Sequence, residues 1–178
     1  MLAITLCVDI NQLAKVYDIG FLLEDVKVRF KKDIKIDIFS ISLEAKENDL
    51  QNVPRWLADI LQENDIAEIQ VQDMSVDLLR ALSRERIAGA DQLSALKPDF
   101  YVRMSAYIKS KQGAEREKLN ISMQDLVILR LGKVIHLARS APMNPDLEQK
   151  LTYEEKTLFQ LIHKASKDFR ECVLGGKQ

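Results

Sequence analysis

The feature that most constrains this chain is a change of hydrophobic period near Met74. Ahead of it, apolar and polar residues alternate at Leu2, Ile4, Leu6 and Val8, then around Val26, Val28 and Phe30, and again around Ile34, Ile36 and Ile38. Residues two apart share one face of a strand, so this spacing predicts strands with one buried side. Phe39, Ile41 and Leu43 continue the rhythm one residue out of step, which predicts a bulge or bend that re-aims the strand. The polar residues 45–52 read as a loop. Residues 53–61 then predict a short helix with Pro54 in its first turn, packed on the sheet through Trp56, Leu57, Ile60 and Leu61. A last strand is expected within residues 66–71.

From Met74 onward the apolar residues recur every three or four positions. Ser75 is the expected N-cap of a helix through Val76, Leu79 and Leu82, with a second line at Leu78 and Leu82 and a stop at Gly89. Pro98 opens the next helix, with Phe100, Met104, Tyr107 and Ile108 on one face and Tyr101 beside them. Residues 109–118 contain Gly113 and alternating charges and predict a mobile connection. A third helix over residues 120–139 has its expected apolar face at Met123, Val127, Leu131, Val134 and Ala138, and a second line at Leu126, Leu129 and Leu137. Residues 140–150, with Pro142 and Pro145, read as a loop. The run Thr152-Tyr153-Glu154-Glu155 is a capping box, in which a hydroxyl and a carboxylate satisfy two orphan backbone donors. The helix it opens carries the stripe Leu158, Ile162, Ala165, Phe169 and Val173, has Lys164, Lys167 and Arg170 toward the negative end of its dipole, and stops at Gly175-Gly176. The expected fold class is therefore α+β: a small N-terminal β-rich domain with one short helix over residues 1–72, then an all-α bundle of about four helices over residues 73–178.

Charge divides the same way: residues 1–72 hold 8 Lys+Arg against 13 Asp+Glu, and residues 73–178 hold 18 against 14. A total of -1 disfavours a strong polyanion binder. Basic residues between 109 and 118 could touch DNA phosphates weakly, but Glu115 and Glu117 interrupt them and no aromatics accompany them. Cys7 and Cys172 lie near opposite ends and read as buried structural thiols in a reducing compartment, without disulfide or zinc spacing. The apolar residues 1–8 are too short for a membrane span and lack the basic leader of a signal peptide.

No phosphate-cradling glycine loop, dinucleotide turn or nucleophile elbow occurs, and the chain has only 6 Gly. His136 and His163 fall on different predicted helices and read as ordinary residues rather than metal ligands. Arg84-Glu85-Arg86 reads as a solvated helix end. An enzyme would need carboxylates such as Asp73, Asp77 and Glu85 to converge in a pocket. No catalytic site, cofactor or metal is therefore expected. The positive signal is apolar surplus: the helix over 120–139 is greasy on more than one stripe, as befits a bundle centre or a subunit interface.

Four short motifs follow one another: Val53-Pro54-Arg55-Trp56-Leu57-Ala58, the segment from Met74 through Glu85-Arg86, Leu96-Lys97-Pro98-Asp99-Phe100-Tyr101, and Asp125 to Arg130 leading into Gly132-Lys133-Val134-Ile135. Their order resembles a subunit of the GINS complex. The resemblance is strongest over residues 50–175 and points to the archaeal subunit equivalent to the eukaryotic second and third subunits, with the β domain first. Arg55 stands where the eukaryotic pattern usually has an apolar residue, and no proline-rich stretch lies around Ile69 to Met74, so the choice between second and third subunit stays open. The resemblance implies a non-enzymatic replication factor of an archaeal cell, cytoplasmic and chromosome-associated at replication forks. It implies a tetramer formed with a second GINS subunit type, binding to the MCM helicase and a RecJ-like protein, at most weak DNA contact and no membrane. Pro54, Trp56, Leu57 and Ala58 match the pattern in the front domain, and Phe100, Tyr101, Arg130 and Lys133 match it in the helical domain. The expected partner interface comprises Phe100, Tyr101, Met104, Tyr107, Ile108, Leu126, Leu129, Arg130, Lys133 and Leu137. The alternative is a nucleic-acid binding module that contacts DNA phosphates through the basic helical part.

Overall fold

The computed structural model describes residues 10–38, 41–70 and 72–175. The strand expected over residues 1–8 lies outside them. Two compact units emerge, one of Lys15–Asp73 and one of Met74–Gln178 together with the residues up to Ala14.

Helix α1 (Ile10–Leu23), which belongs to the first unit from Lys15 onward, leads into strand β1 (Asp25–Phe30), followed by β2 (Ile34–Ile38), β3 (Ile41–Ala45), β4 (Leu50–Pro54), α2 (Arg55–Glu63) and β5 (Ala67–Ile69). β1 is the central strand, antiparallel to β4 on one side and β5 on the other, with Val28 opposite both Gln51 and Ile69. Its alternation behaves as expected: Val28 and Phe30 are fully buried while Lys27 and Arg29 point to solvent. The change of step after Ile38 is a reversal of the chain, not a bulge. β2 and β3 form a separate antiparallel hairpin, with Ile38 opposite Ile41.

Three further expectations are corrected in this unit. The supposed loop over residues 45–52 contains most of β4, because Asn48, in the left-handed conformation (φ 69°), turns the chain sharply and sends Leu50 back along β1. Helix α1 had no counterpart in the period-two reading, although Val16, Ile19 and Leu23 sit at helical spacing. Its Phe21 ring lies under the Arg55 guanidinium, 4.1 Å from the centroid. Finally, α2 follows Pro54 directly and packs through Leu57, Ala58 and Leu61, whereas Trp56 and Ile60 stay exposed.

The second unit contains α3 (Ser75–Ile87), α4 (Phe100–Lys109), α5 (Gly113–Ser140), α6 (Pro145–Lys150) and α7 (Tyr153–Leu174). α3 begins after Met74 without a side-chain cap, so Ser75 is its first helical residue and not its cap; it ends at Ala88. Its buried line is Leu78, Ala81, Leu82 and Glu85, and Val76 and Leu79 face outward. Residues 113–118 belong to α5, which at about 1.5 Å per residue is roughly 42 Å long. Asn144 caps α6 through its side chain, with Pro145 at the first position, so a short helix replaces part of the expected loop. Seven helices are thus described in the chain, with five in this unit where about four were expected.

Two apolar clusters hold the bundle. One joins α3, α4 and the first half of α5 through Leu78, Leu82, Phe100, Met104, Leu119 and Leu126. The other joins the second half of α5 to α7 through Leu93, Val134, Ala138, Leu151 and Phe159. Each large side chain buried this fully contributes on the order of 1.5–3 kcal/mol relative to exposure.

The capping box of α7 is present in full: Glu155 N donates to Thr152 Oγ1 at 3.3 Å, and Thr152 N donates to Glu155 Oε2 at 3.0 Å. Gly175 closes the helix in the left-handed conformation, φ 73°. Thr152 is wholly buried, so water cannot replace its hydroxyl. Thr152→Ala is expected to destabilise the unit by about 1–2 kcal/mol, read as a lower thermal midpoint by circular dichroism; an unchanged midpoint would show that the cap is redundant.

Candidate partner interface

Arg130 lies four residues from both Leu126 and Val134, so helical geometry aims it along their face of α5 into the bundle, where its side chain is completely buried. A lone charge there would be strongly unfavourable. The bundle instead satisfies the whole guanidinium. Arg130 Nε donates to Glu155 Oε1 at 2.6 Å and Nη2 to Glu155 Oε2 at 2.8 Å, a two-pronged grip on the first turn of α7. Nη1 donates to Glu85 Oε2 of α3 and to the Ser94 carbonyl, both at 2.8 Å, and Nη2 donates to the Lys150 carbonyl at the end of α6 at 3.0 Å.

The carboxylates have further partners. Glu85 accepts from Ser94 Oγ at 2.6 Å and forms an ion pair with Lys133 Nζ at 2.8 Å. Lys133 also donates to the Glu85 and Ala88 carbonyls at the end of α3. Glu155 accepts from the Tyr101 hydroxyl of α4 at 2.6 Å. Two cations and two anions thus close a neutral group that joins every helix of the unit. Burial alone would push the Glu85 carboxyl up; hydrogen bonds from Lys133 and Ser94 and the Arg130 charge overcome it and hold the group below its ordinary value. Burial and the Glu155 charge raise the Tyr101 phenol, which therefore stays a donor. Burial opposes the charge on Arg130 too, but Glu155 outweighs it and keeps the guanidinium charged.

This geometry reassigns the expected interface. Phe100, Met104, Tyr107, Ile108 and Leu126 fill the chain's own core and have no free surface. Leu129 and Leu137 are half-buried against the two clusters. Tyr101, Arg130 and Lys133 belong to the ion network. Glu85, read as part of a solvated helix end, is 1% exposed. In the front unit Pro54 precedes α2, Leu57 and Ala58 are core, and Trp56 is at the surface.

The apolar surplus sits elsewhere. Ile121, Ile128 and Leu131 on α5 are 55%, 67% and 41% exposed. With Gln124 and half-buried Ile135 they repeat at alternating spacings of three and four, the pattern of a helix–helix seam. This seam runs along the side of α5 away from Arg130. Gly132 lies beside it, with nothing within 4 Å of where a Cβ would be. Val76, Leu79 and Ile87 add exposed apolar area on α3. The three-four spacing was visible in the sequence, but period alone does not say which of several stripes faces inward.

Among the described residues no three side chains of metal-ligating type cluster, and no helix is long and apolar enough to cross a membrane. The arrangement offers an apolar helix surface on a rigid scaffold. In comparison with known proteins, the family model of the GINS complex protein helical bundle domain matches residues 60–172, more than half of the chain. No curated protein matches it.

Arg130→Ala is expected to cost about 3–5 kcal/mol, because two buried carboxylates lose their main partner. Arg130→Lys should recover only part of this, since a point charge cannot reproduce the fork. Denaturant titration of both variants checks the order. The Glu85 carboxyl ionises below its ordinary 4.5 when folded, so its contribution to stability is complete above that value and lost as pH falls through the folded value. The thermal midpoint should therefore drop in acid below about pH 4.5, with a shallower slope in Glu85→Gln; parallel slopes would remove Glu85 from the acid response.

Proposed function

The chain belongs to the GINS complex family, and from that premise we propose that it acts as a non-catalytic subunit whose work is positional. Its helical domain, from about residue 73, joins a second GINS subunit type in a hetero-oligomer, a tetramer in the simplest closed arrangement. The assembled complex docks on the MCM replicative helicase and on a RecJ-like protein at the replication fork. The chain corresponds to the archaeal subunit with the β domain first, and the domain over residues 1–72 serves as a small docking module. Contact with DNA is at most weak.

The single observation that carries this reading is the seam of exposed Ile121, Ile128 and Leu131 on a helix whose opposite face is already locked into the core. Nothing within the described helical unit covers it. Gly132 supports the same conclusion: a mid-helix glycine costs about 1 kcal/mol relative to alanine, no atom of the described residues crowds it, and it would let a neighbouring backbone come close. A stable subunit contact of this kind buries roughly 2,000 Å² or more.

The expected result is a higher molar mass by light scattering when the chain is mixed with a second GINS subunit, and co-precipitation of the mixture with MCM. Ile128→Glu should weaken that assembly by at least about 10-fold while leaving the melting temperature nearly unchanged, because the side chain is at the surface. Wild-type affinity in Ile128→Glu would move the interface off α5, and a chain that stays monomeric with every GINS subunit would refute the subunit reading.

A further inference from the structure

Beyond the end of the α5 seam, α5 and α7 enclose an open groove. The two helices run in the same direction, since Glu155 meets Arg130 and, further along, His163 Nδ1 lies 2.9 Å from the Ala138 carbonyl. α5 stops at Ser140, whereas α7 continues to Leu174. At about 1.5 Å per residue, roughly 13 Å of α7 therefore extends past the last turn of α5. Ile162, Ala165, Phe169 and Val173 form one stripe along this helix, and Phe169 and Val173 are 68% and 62% exposed. A helical end without packing on its apolar side is only marginally stable in water.

The charge around the stripe is one-sided. Ile162, Ala165 and Phe169 form the apolar floor, with His136 and Arg139 of α5 and Arg170 of α7 at the rim, and among the described residues no carboxylate lines the groove. By helical geometry Asp168 flanks the stripe on the edge away from Arg170 and the groove, and Glu171 projects from the opposite face of α7, where it meets Lys167 at 3.8 Å. His136 meets Asp91 at 2.8 Å. Arg170 donates only to the Ser166 carbonyl, and among the described residues neither Arg170 nor Arg139 has a carboxylate within ion-pair distance. A second copy's α7 laid in the groove would bring another Arg170 beside the same stripe and set like charges against Arg139.

We propose that this groove receives an acidic amphipathic helix from another protein, its apolar side chains seated on Ile162, Ala165 and Phe169 and its flanking carboxylates on Arg139 and Arg170. The mode is an amphipathic helix in a groove, with apolar anchors supplying affinity and the basic rim setting orientation and discrimination. Binding also orders the projecting end of α7 by giving its stripe a partner.

Fluorescence anisotropy on the full chain tests this with a labelled amphipathic peptide of about 18 residues, Leu and Phe at helical spacing and Glu elsewhere, against its Lys-for-Glu counterpart. The acidic peptide should bind at least about 10-fold tighter and weaken as salt is raised. The double variant Arg139→Glu, Arg170→Glu and the single variant Phe169→Ala should each lower its affinity about 10-fold or more, with unchanged helicity and unchanged assembly with a second GINS subunit. Arg139→Lys with Arg170→Lys should retain most of the binding. Equal affinity for the two peptides, no binding of the acidic one, indifference to the charge reversal, or self-association of the chain through Phe169 would each overturn the proposal.

Discussion

Arg130 is the interaction on which the helical unit depends. Its side chain interrupts what would otherwise be one continuous apolar core, separating the cluster around Leu126 from that around Val134. The interruption is tolerated because Arg130 reaches the carboxylates of α3 and α7 and the Ser94 and Lys150 carbonyls at once. A buried ion group of this kind adds little net stability compared with well-packed apolar residues. It does impose one arrangement: only when α3, α6 and α7 sit in the correct register do all the donors find acceptors, so a slipped bundle would leave a buried charge unpaired.

That lock also explains why a helix apolar on several sides can exist without ambiguity. α5 could pack by more than one stripe, as Ile121, Ile128 and Leu131 make a seam as regular as Leu119, Leu126, Val134 and Ala138. The ion pairs select the second stripe for the chain's interior and leave the first at the surface. Family membership and an exposed seam then agree on a subunit of a larger complex. Charge partitions the remaining surface, with uncompensated arginines gathered where α7 outruns α5.

Much of this was readable in advance, and the failures share a cause. The capping box of Thr152 and Glu155, the left-handed stop at Gly175 and the inward alternation of Val28 and Phe30 depend on neighbours along the chain, and all were found where expected. The strand phase change at Phe39 was seen but misread, because a bend and a hairpin turn shift the alternation identically. β4 was missed since its pairing with β1 is a long-range matter that its polar composition conceals. Helical faces fared worst. Phe100, Met104 and Tyr107 were grouped correctly but assigned to a partner when they face Leu82 and Leu119 of the same chain.

By itself the sequence determined the period of each segment, the division between a β-rich front and a helical rear, the chemistry of the helix ends and the order of motifs that resembles the GINS family. Those properties are local, set by backbone geometry and by residues a few positions apart. Only the tertiary structure decided that Glu85, Arg130, Lys133 and Glu155 meet as a neutral group, and therefore which side of α5 turns inward. The physical reason is that burying a charge depends on partners 20 to 48 residues away along the chain, and no periodicity can register a partner at that distance.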